Sequence, residues 1–189
     1  MGAGPRESTQ GLATLFTGIF LARHGQTAYN VGRRFQGLLP VPLNETGCRP
    51  AAELAELAAA HGFRALWCSP LVRARTTADI VGARIGLEPT EDSRLVETDA
   101  GDWTDRWWSD VEKEDPEGLA AFLSSDPDFA FPGGESYRHQ TERSVAALRD
   151  IAQGPKPALV VCHAMVIRLV LMHLGRGNYP VQNGALIEL

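Results

Sequence analysis

The chain has 189 residues, 44% of them apolar and 22% charged, with a formal net charge of −5. Those proportions suit one globular domain with its own hydrophobic core, and the acidic balance argues against general nucleic-acid binding, which needs clustered cations. No uninterrupted apolar run reaches the ~18 residues that a membrane-spanning helix requires.

Residues 1–12 read as a flexible leader and residues 13–189 as a single domain. Gly11 to Ala22 is apolar enough to mimic a signal-peptide core, with Arg6 ahead of it. However, the run flows straight into Arg23-His24-Gly25, so cleavage there would remove the strand that holds His24. The expected compartment is the cytoplasm. Three cysteines cannot all pair, and Cys68 and Cys162 sit in apolar runs, which points to buried free thiols in a reducing environment.

Leu15 to Ala22 reads as a buried strand that ends abruptly in a cation and an imidazole. Gly25 is expected to let the chain turn and to bring backbone N–H groups close to a ligand. Gln26, Thr27 and Asn30 follow as neutral donors, and Arg33 and Arg34 add charge. No Asp or Glu stands between Glu7 and Glu45. A neutral nucleophile among fixed cations and donors is what an anionic phosphoryl group requires.

A helix is expected from Glu45 or Thr46 to Gly62, with Ala51, Leu54, Leu57 and Ala58 on one face and Pro50 in its first turn. Ala65–Cys68 is a second buried strand. Ser69-Pro70 then supplies an N-cap and a first helical residue for a helix running to Ile85, which Gly86 stops. Arg73 falls near that helix's first turn. Between Glu91 and Glu117 eleven acidic residues and three tryptophans accumulate, a stretch read as loops and short helices. Its tryptophans divide between the core and the rim of a pocket. Ser136 to Gln153 reads as a helix, Ala158–Cys162 as a third buried strand, Met165 to Leu174 as a helix, and Ala185 to Leu189 as a short last strand. Strands alternating with helices indicate an α/β fold with a largely parallel sheet flanked by helices. Ligands in such folds sit beyond the carboxyl ends of the strands, and three predicted strands end at His24, Ser69 and His163.

The stretch Arg23-His24-Gly25-Gln26-Thr27, followed by Asn30, Arg33 and Gln36-Gly37, resembles the histidine phosphatase superfamily, the phosphoglycerate mutase-like family. Ser69-Pro70-Leu71-x-Arg73-Ala74, Glu97, Pro132-Gly133-Gly134-Glu135-Ser136 and Cys162-His163-Ala164 extend the resemblance over roughly residues 15–189. It implies a three-layer sandwich of helices around the sheet, with His24 as a nucleophile that forms a phosphohistidine. It assigns Arg23, Asn30, Arg73 and His163 to the phosphoryl oxygens and Glu97 to proton donation. A neutral imidazole attacks phosphorus well, and arginines beside it disfavour its protonated form.

Asp99, Asp102 and Asp105 compete with Glu97 for the acid's role, and Arg33 and Arg34 compete as a further cation. Two positions depart from the family pattern. Trp103-Thr104-Asp105 stands where a small residue usually follows a Trp-x-Gly step, and Ala164 stands where Gly commonly follows the second histidine. Arg168 reads as a structural or ion-paired residue. His61, His139 and His173 have no partner at metal-ligand spacing, so neither a metal nor another cofactor is expected.

The expected activity is metal-independent hydrolysis of a small phosphorylated metabolite, with no nucleic-acid or membrane partner and with a homodimer as the assembly to test. A cofactor-dependent phosphoglycerate mutase is the rival within the family. It is disfavoured by the short separation of Glu97 from His163 and by a C-terminus shorter than the tail with which the family's mutases close their site. An idle phospholigand-binding member is the alternative of another class.

Overall fold

Two faces of one sheet are written into the strands by alternation. In the computed structural model, which describes residues 9–189, the chain runs α1 (Thr9–Leu15), β1 (Ile19–Arg23), α2 (Ala28–Gly32), α3 (Cys48–Ala59), β2 (Ala65–Cys68), α4 (Val72–Ile85) and β3 (Thr90–Glu91). After two 3₁₀ turns, Ser93–Leu95 and Gly101–Trp103, come α5 (Trp108–Glu114), α6 (Pro116–Ser124), α7 (Tyr137–Ile151), β4 (Ala158–Cys162), α8 (Ala164–His173) and β5 (Leu186–Glu188). The sheet order is β3-β2-β4-β1-β5, with β1, β2, β3 and β4 parallel and β5 antiparallel to β1.

Ile19, Leu21, Val160 and Cys162 point to one face and pack with residues of α1, α7 and α8. Ala22, Leu66, Leu159 and Val161 point to the other and pack with α3 and α4. Successive side chains of a strand face opposite ways, so the sheet lies between two helical layers, the three-layer sandwich that the resemblance implied. All five residues of β4 are buried, as a central parallel strand requires. The α/β class with a largely parallel sheet is therefore as expected from the alternating elements.

Several boundaries differ from the sequence reading. Leu12 and Phe16 are buried together as one helical face, so α1 takes the first residues assigned to the strand, and Gly18, at φ +79°, separates helix from β1. The leader boundary set at residue 12 thus falls inside α1; residues 1–8 lie outside the described residues. Leu57 is exposed rather than on the buried face of α3, whereas Ala51, Leu54 and Ala58 are buried as expected. Helix α4 begins at Val72 instead of Pro70, because Leu71 stays extended as its N-cap and Ser69 is used elsewhere. Besides α1, three elements were not anticipated: α2, closed by a capping box between Thr27 and Asn30, the short edge strand β3, and α6, which lies almost wholly beyond the stretch read as short helices. Cys68 and Cys162 are buried free thiols; burial pushes the Cys68 thiol up to about 12 and that of Cys162 upward as well.

Gly25 is required for a reason other than turning. Its N–H donates to Thr77 Oγ1 at 3.0 Å instead of facing a ligand. A Cβ at Gly25 would lie 2.2 Å from the carbonyl oxygen of Gly47, so the loop after β1 crosses the start of α3 in direct backbone contact. Backbone cannot yield as a side-chain tip can. The expected outcome for Gly25→Ala is a loss of about 1–3 kcal/mol in urea unfolding, the usual cost of an overpacked site; an unchanged midpoint would contradict the close approach.

Candidate active site

The carboxyl ends of β1, β2 and β4 deliver His24, Ser69 and His163 to one edge of the sheet, and all three are buried. The His24 and His163 ring centroids are 5.2 Å apart. His24 Nδ1 lies 2.6 Å from the Gly25 carbonyl oxygen. A carbonyl only accepts, so neutral His24 carries its proton on Nδ1 and its lone pair on Nε2. Burial, then the positive charges of Arg73 and Arg23, hold its pKa well below the ordinary 6.5, outweighing the bond to Gly25. His24 is a neutral base with a fixed tautomer.

His163 Nε2 is 2.8 Å from Ser69 Oγ, which also accepts the Leu71 N–H at 3.2 Å. When the Ser69 hydroxyl donates to Nε2, the proton of neutral His163 stands on Nδ1, where it has no partner within the protein. Burial and the charge of Arg73 keep His163 neutral too.

Arg23 and Arg73 are held by neutral groups. Arg23 Nη1 donates to Val181 O at 2.6 Å; Arg73 donates to Leu39 O at 3.0 Å and Gly37 O at 2.9 Å. Burial lowers both guanidinium pKa values, that of Arg73 to about 10, which leaves both cationic at neutral pH. Five buried side-chain polar atoms among the described residues have no hydrogen-bond partner within the protein: Arg23 Nε, Arg73 Nε, His163 Nδ1, Thr98 Oγ1 and Ser125 Oγ. The first three belong to the residues gathered around His24, and Thr98 lines the same cleft. Unpaired buried donors are costly, and their concentration here marks a place built for an external acceptor.

That cleft, of about 250 Å³, is lined by Arg23, His24, Asn30, Arg73 and Glu97, with Phe35, Trp108, Phe122 and Phe131 on its apolar side. A second cavity of about 580 Å³ lies between α1, α7 and α8. It is larger, yet it holds none of these groups. Asn30 Oδ1 accepts the Thr27 N–H at 3.0 Å and Asn183 Nδ2 at 3.2 Å, so its amide nitrogen remains a donor. Asn183 also donates to His24 O at 3.0 Å. It had no signal in the sequence, since it lies in an irregular segment far from every motif.

Glu97 Oε1 accepts its neighbour's N–H, that of Thr98, at 3.0 Å, and Oε2 lies 3.5 Å from Met165 N at the start of α8. The competing acids are engaged elsewhere. Asp99 holds Gly101 N, Asp102 lies against Gly133, and Asp105 binds Arg34 and Tyr29. The Glu97 backbone is clamped by Arg143, which sequence reading missed on a polar helix face. Arg143 donates to the carbonyls of Arg94 at 2.6 Å, Val96 at 2.8 Å and Glu97 at 3.1 Å, and to the Gln140 side chain. Both oxygens of Glu135 accept from the same guanidinium, at 2.7 and 2.8 Å. Glu135 belongs to the Pro-Gly-Gly-Glu-Ser stretch singled out above, and this bidentate pair gives it a role.

Arg33 is exposed and stacks over Trp108, whereas Arg34 lines the cleft with its charge answered by Asp105. Trp103 is in the core and Trp108 at the cleft wall, as expected of the acidic stretch, whereas Trp107 is on the surface and does not line the cleft. Among the described residues no cluster of three or more His, Cys, Asp or Glu side chains is arranged to hold a metal ion, and no helix is long and apolar enough to cross a membrane.

Comparison with known proteins finds relatives over most of the chain. The family model for the histidine phosphatase superfamily, branch 1, matches residues 19–188. A curated relative from Arabidopsis thaliana, "Metal-independent phosphoserine phosphatase", is 34% identical over 167 residues, 86% of this chain and 70% of that protein. Another, "Probable phosphoglycerate mutase" of Cronobacter sakazakii, is 34% identical over 152 residues, 79% of this chain and 70% of that protein. Among solved structures, mycobacterial glucosyl-3-phosphoglycerate phosphatase with VO3 superposes with a TM-score of 0.81 at 30% identity, covering 89% of this chain and 88% of that one.

The two buried neutral histidines make stability depend on pH with a definite sign. As pH falls below 6.5 the unfolded chain takes up protons that folded His24 and His163 refuse, so stability present at neutral pH is lost on acidification. A falling unfolding midpoint from pH 7.5 to 5.5, with a weaker slope in His24→Ala, is expected; equal slopes in both proteins would contradict a neutral His24.

Proposed function

The chain belongs to the histidine phosphatase superfamily, and from that premise we propose that it hydrolyses a small phosphomonoester through a phosphohistidine on His24, without a metal ion. One observation carries the reading. A buried imidazole with Nε2 free is surrounded by cations and by buried donors that no protein group accepts from.

In the first step the Nε2 lone pair forms the N–P bond as the ester P–O bond breaks, and Glu97 gives its proton to the departing alkoxide. Arg23, Arg73, Asn30 and His163 bind the equatorial oxygens, over which charge spreads in a loose transition state; positioned donors there are the main catalytic resource. In the second step water attacks phosphorus, the Glu97 carboxylate takes its proton, and phosphate leaves as His24 recovers its lone pair. Arg143 acts through Glu97 by fixing the backbone on either side of it.

Relatives named as phosphatases support hydrolysis, and the mutase-named relative keeps transfer back to an alcohol as the second reading. The idle-binder alternative has the weaker support, because His24, Arg23, Arg73, Glu97 and His163 are all in place.

Phosphate release in EDTA is expected from alkyl and p-nitrophenyl phosphates, falling by at least about a thousandfold in His24→Ala. Glu97→Gln should lose roughly 10²–10⁴-fold on the alkyl ester and much less on p-nitrophenyl phosphate, whose leaving group needs no proton. Arg143→Ala should show the same leaving-group dependence at smaller amplitude. Release that survives His24→Ala would overturn the mechanism; transfer from 2,3-bisphosphoglycerate to phosphoglycerate without net release would favour the mutase.

A further inference from the structure

The segment between α8 and β5 returns to the cleft as part of its wall, with Pro180 and Val181 among the lining residues. It is tied to β1 by backbone and side chain together. Arg23 Nη1 donates to Val181 O at 2.6 Å, Arg23 N to Ala185 O at 3.1 Å, and Gly184 N to Arg23 O at 3.0 Å. Gly184, at φ +75°, lies so near α3 that a Cβ would stand 2.9 Å from Pro50 Cβ and 3.0 Å from the Pro50 carbonyl oxygen. The segment is thus seated between β1 and the first turn of α3, and from that seat it offers Asn183 to the catalytic groups.

Asn183 Nδ2 donates to His24 O at 3.0 Å and to Asn30 Oδ1 at 3.2 Å. Backbone groups pin both ends of this relay, so the orientation of each amide follows from its partners. The His24 carbonyl only accepts, so the nitrogen of Asn183 must face it. The Thr27 N–H only donates, so the oxygen of Asn30 must face Thr27, at 3.0 Å. Two donors therefore fill Asn30 Oδ1, and Asn30 Nδ2 stays free for the cleft that Asn30 lines. An amide nitrogen carries two hydrogens, and Asn183 uses both on protein oxygens. It has no donor left for a ligand, and its influence on one must pass through His24 and Asn30.

Few side chains could take its place. Bridging two oxygen acceptors from one atom requires two donors, and a neutral group leaves the field of Arg23 and Arg73 intact. Serine has one donor, and ionised aspartate, of the same shape as asparagine, has none.

We propose that Asn183 is a positioning residue for phosphoryl binding: one nitrogen ties the carbonyl of the nucleophile to the oxygen of Asn30 and so keeps the Asn30 N–H groups on the phosphoryl side. Aspartate at this position would set a carboxylate against two carbonyl oxygens. The repulsion is relieved when the Asn30 amide turns over, which presents its oxygen to the anion. The inference rests on the phosphoryl-binding reading above, and its test separates the two.

That test is a double-mutant cycle read by calorimetric binding of monomeric orthovanadate, which requires no turnover. Asn30→Ala and Asn183→Asp are each expected to weaken vanadate about tenfold, as for a lost hydrogen bond to a charged group. In the Asn30→Ala background Asn183→Asp should cost less than about threefold more, because its effect runs through the residue already removed. A general structural defect, or simple repulsion between the new carboxylate and the anion, acts alike in both backgrounds. Equal costs in the two would therefore overturn the inference, as would an Asn183→Asp protein that binds vanadate as the native one does. Should that variant fail to fold, Asn183→Ala enters the same cycle and is judged by the same outcomes. Phosphate release from p-nitrophenyl phosphate is followed alongside. Coupling between positions 30 and 183 without release overturns the hydrolase reading alone; release with equal costs overturns this inference alone. A native protein that binds no vanadate overturns it whatever the turnover.

Discussion

The bond between His24 Nδ1 and the carbonyl of its own neighbour, Gly25, is the interaction on which the site depends. It fixes the tautomer, and burial among arginines keeps the ring neutral, so one nitrogen presents a lone pair at neutral pH. The fold exists to hold that geometry. β1 is anchored on both sides, by β4 and β5, and the loop beyond it is pressed against Gly47 so closely that Gly25 admits no side chain. The same loop offers Thr27 and Asn30 to each other as a capping box, which orients the Asn30 amide while starting α2. Local backbone economy and ligand geometry are here one arrangement.

Around this fixed imidazole the other groups are held by polar but uncharged partners. Arg23 and Arg73 rest on backbone carbonyls, and His163 on the Ser69 hydroxyl. Carboxylate partners would have cancelled the field that a phosphoryl group is to feel; carbonyls position the cations without neutralising them. Glu97 is the exception in charge and is also the most elaborately mounted residue. Its backbone hangs from Arg143, whose own charge is answered by Glu135 in a bidentate pair nearly closed to solvent. Removing either member of such a pair leaves the other buried and unpaired, so the clamp couples the stability of α7 to the position of the acid.

Much of this was readable from the residues. Short continuous apolar runs, Leu15 to Ala22, Ala65 to Cys68 and Ala158 to Cys162, marked the central strands, and the residues ending them marked the edge where the site lies. Ala51, Leu54 and Ala58 announced the inner face of α3. What could not be read had no local signature. Leu57 has the spacing of a core residue, yet no neighbour covers it. Ser69 carries the composition of an N-cap, but a tertiary bond to His163 outweighs that preference and delays the helix to Val72. Asn183 and Arg143 act through contacts with residues 159 and 46–49 positions away, which no periodicity encodes. Arg168, read as structural or ion-paired, ties α8 to Asn178 and Leu123 through neutral acceptors.

The measurement that tests the central claim most directly is rapid alkaline quenching during turnover of a 32P-labelled ester, followed by peptide mapping of the trapped protein at alkaline pH. A phosphoramidate, stable in alkali and labile in acid, is expected on His24 at a level that rises in a burst and decays with turnover. Its absence from His24, with phosphate still released at the native rate and with inverted configuration at phosphorus, would show direct attack by water and contradict the account.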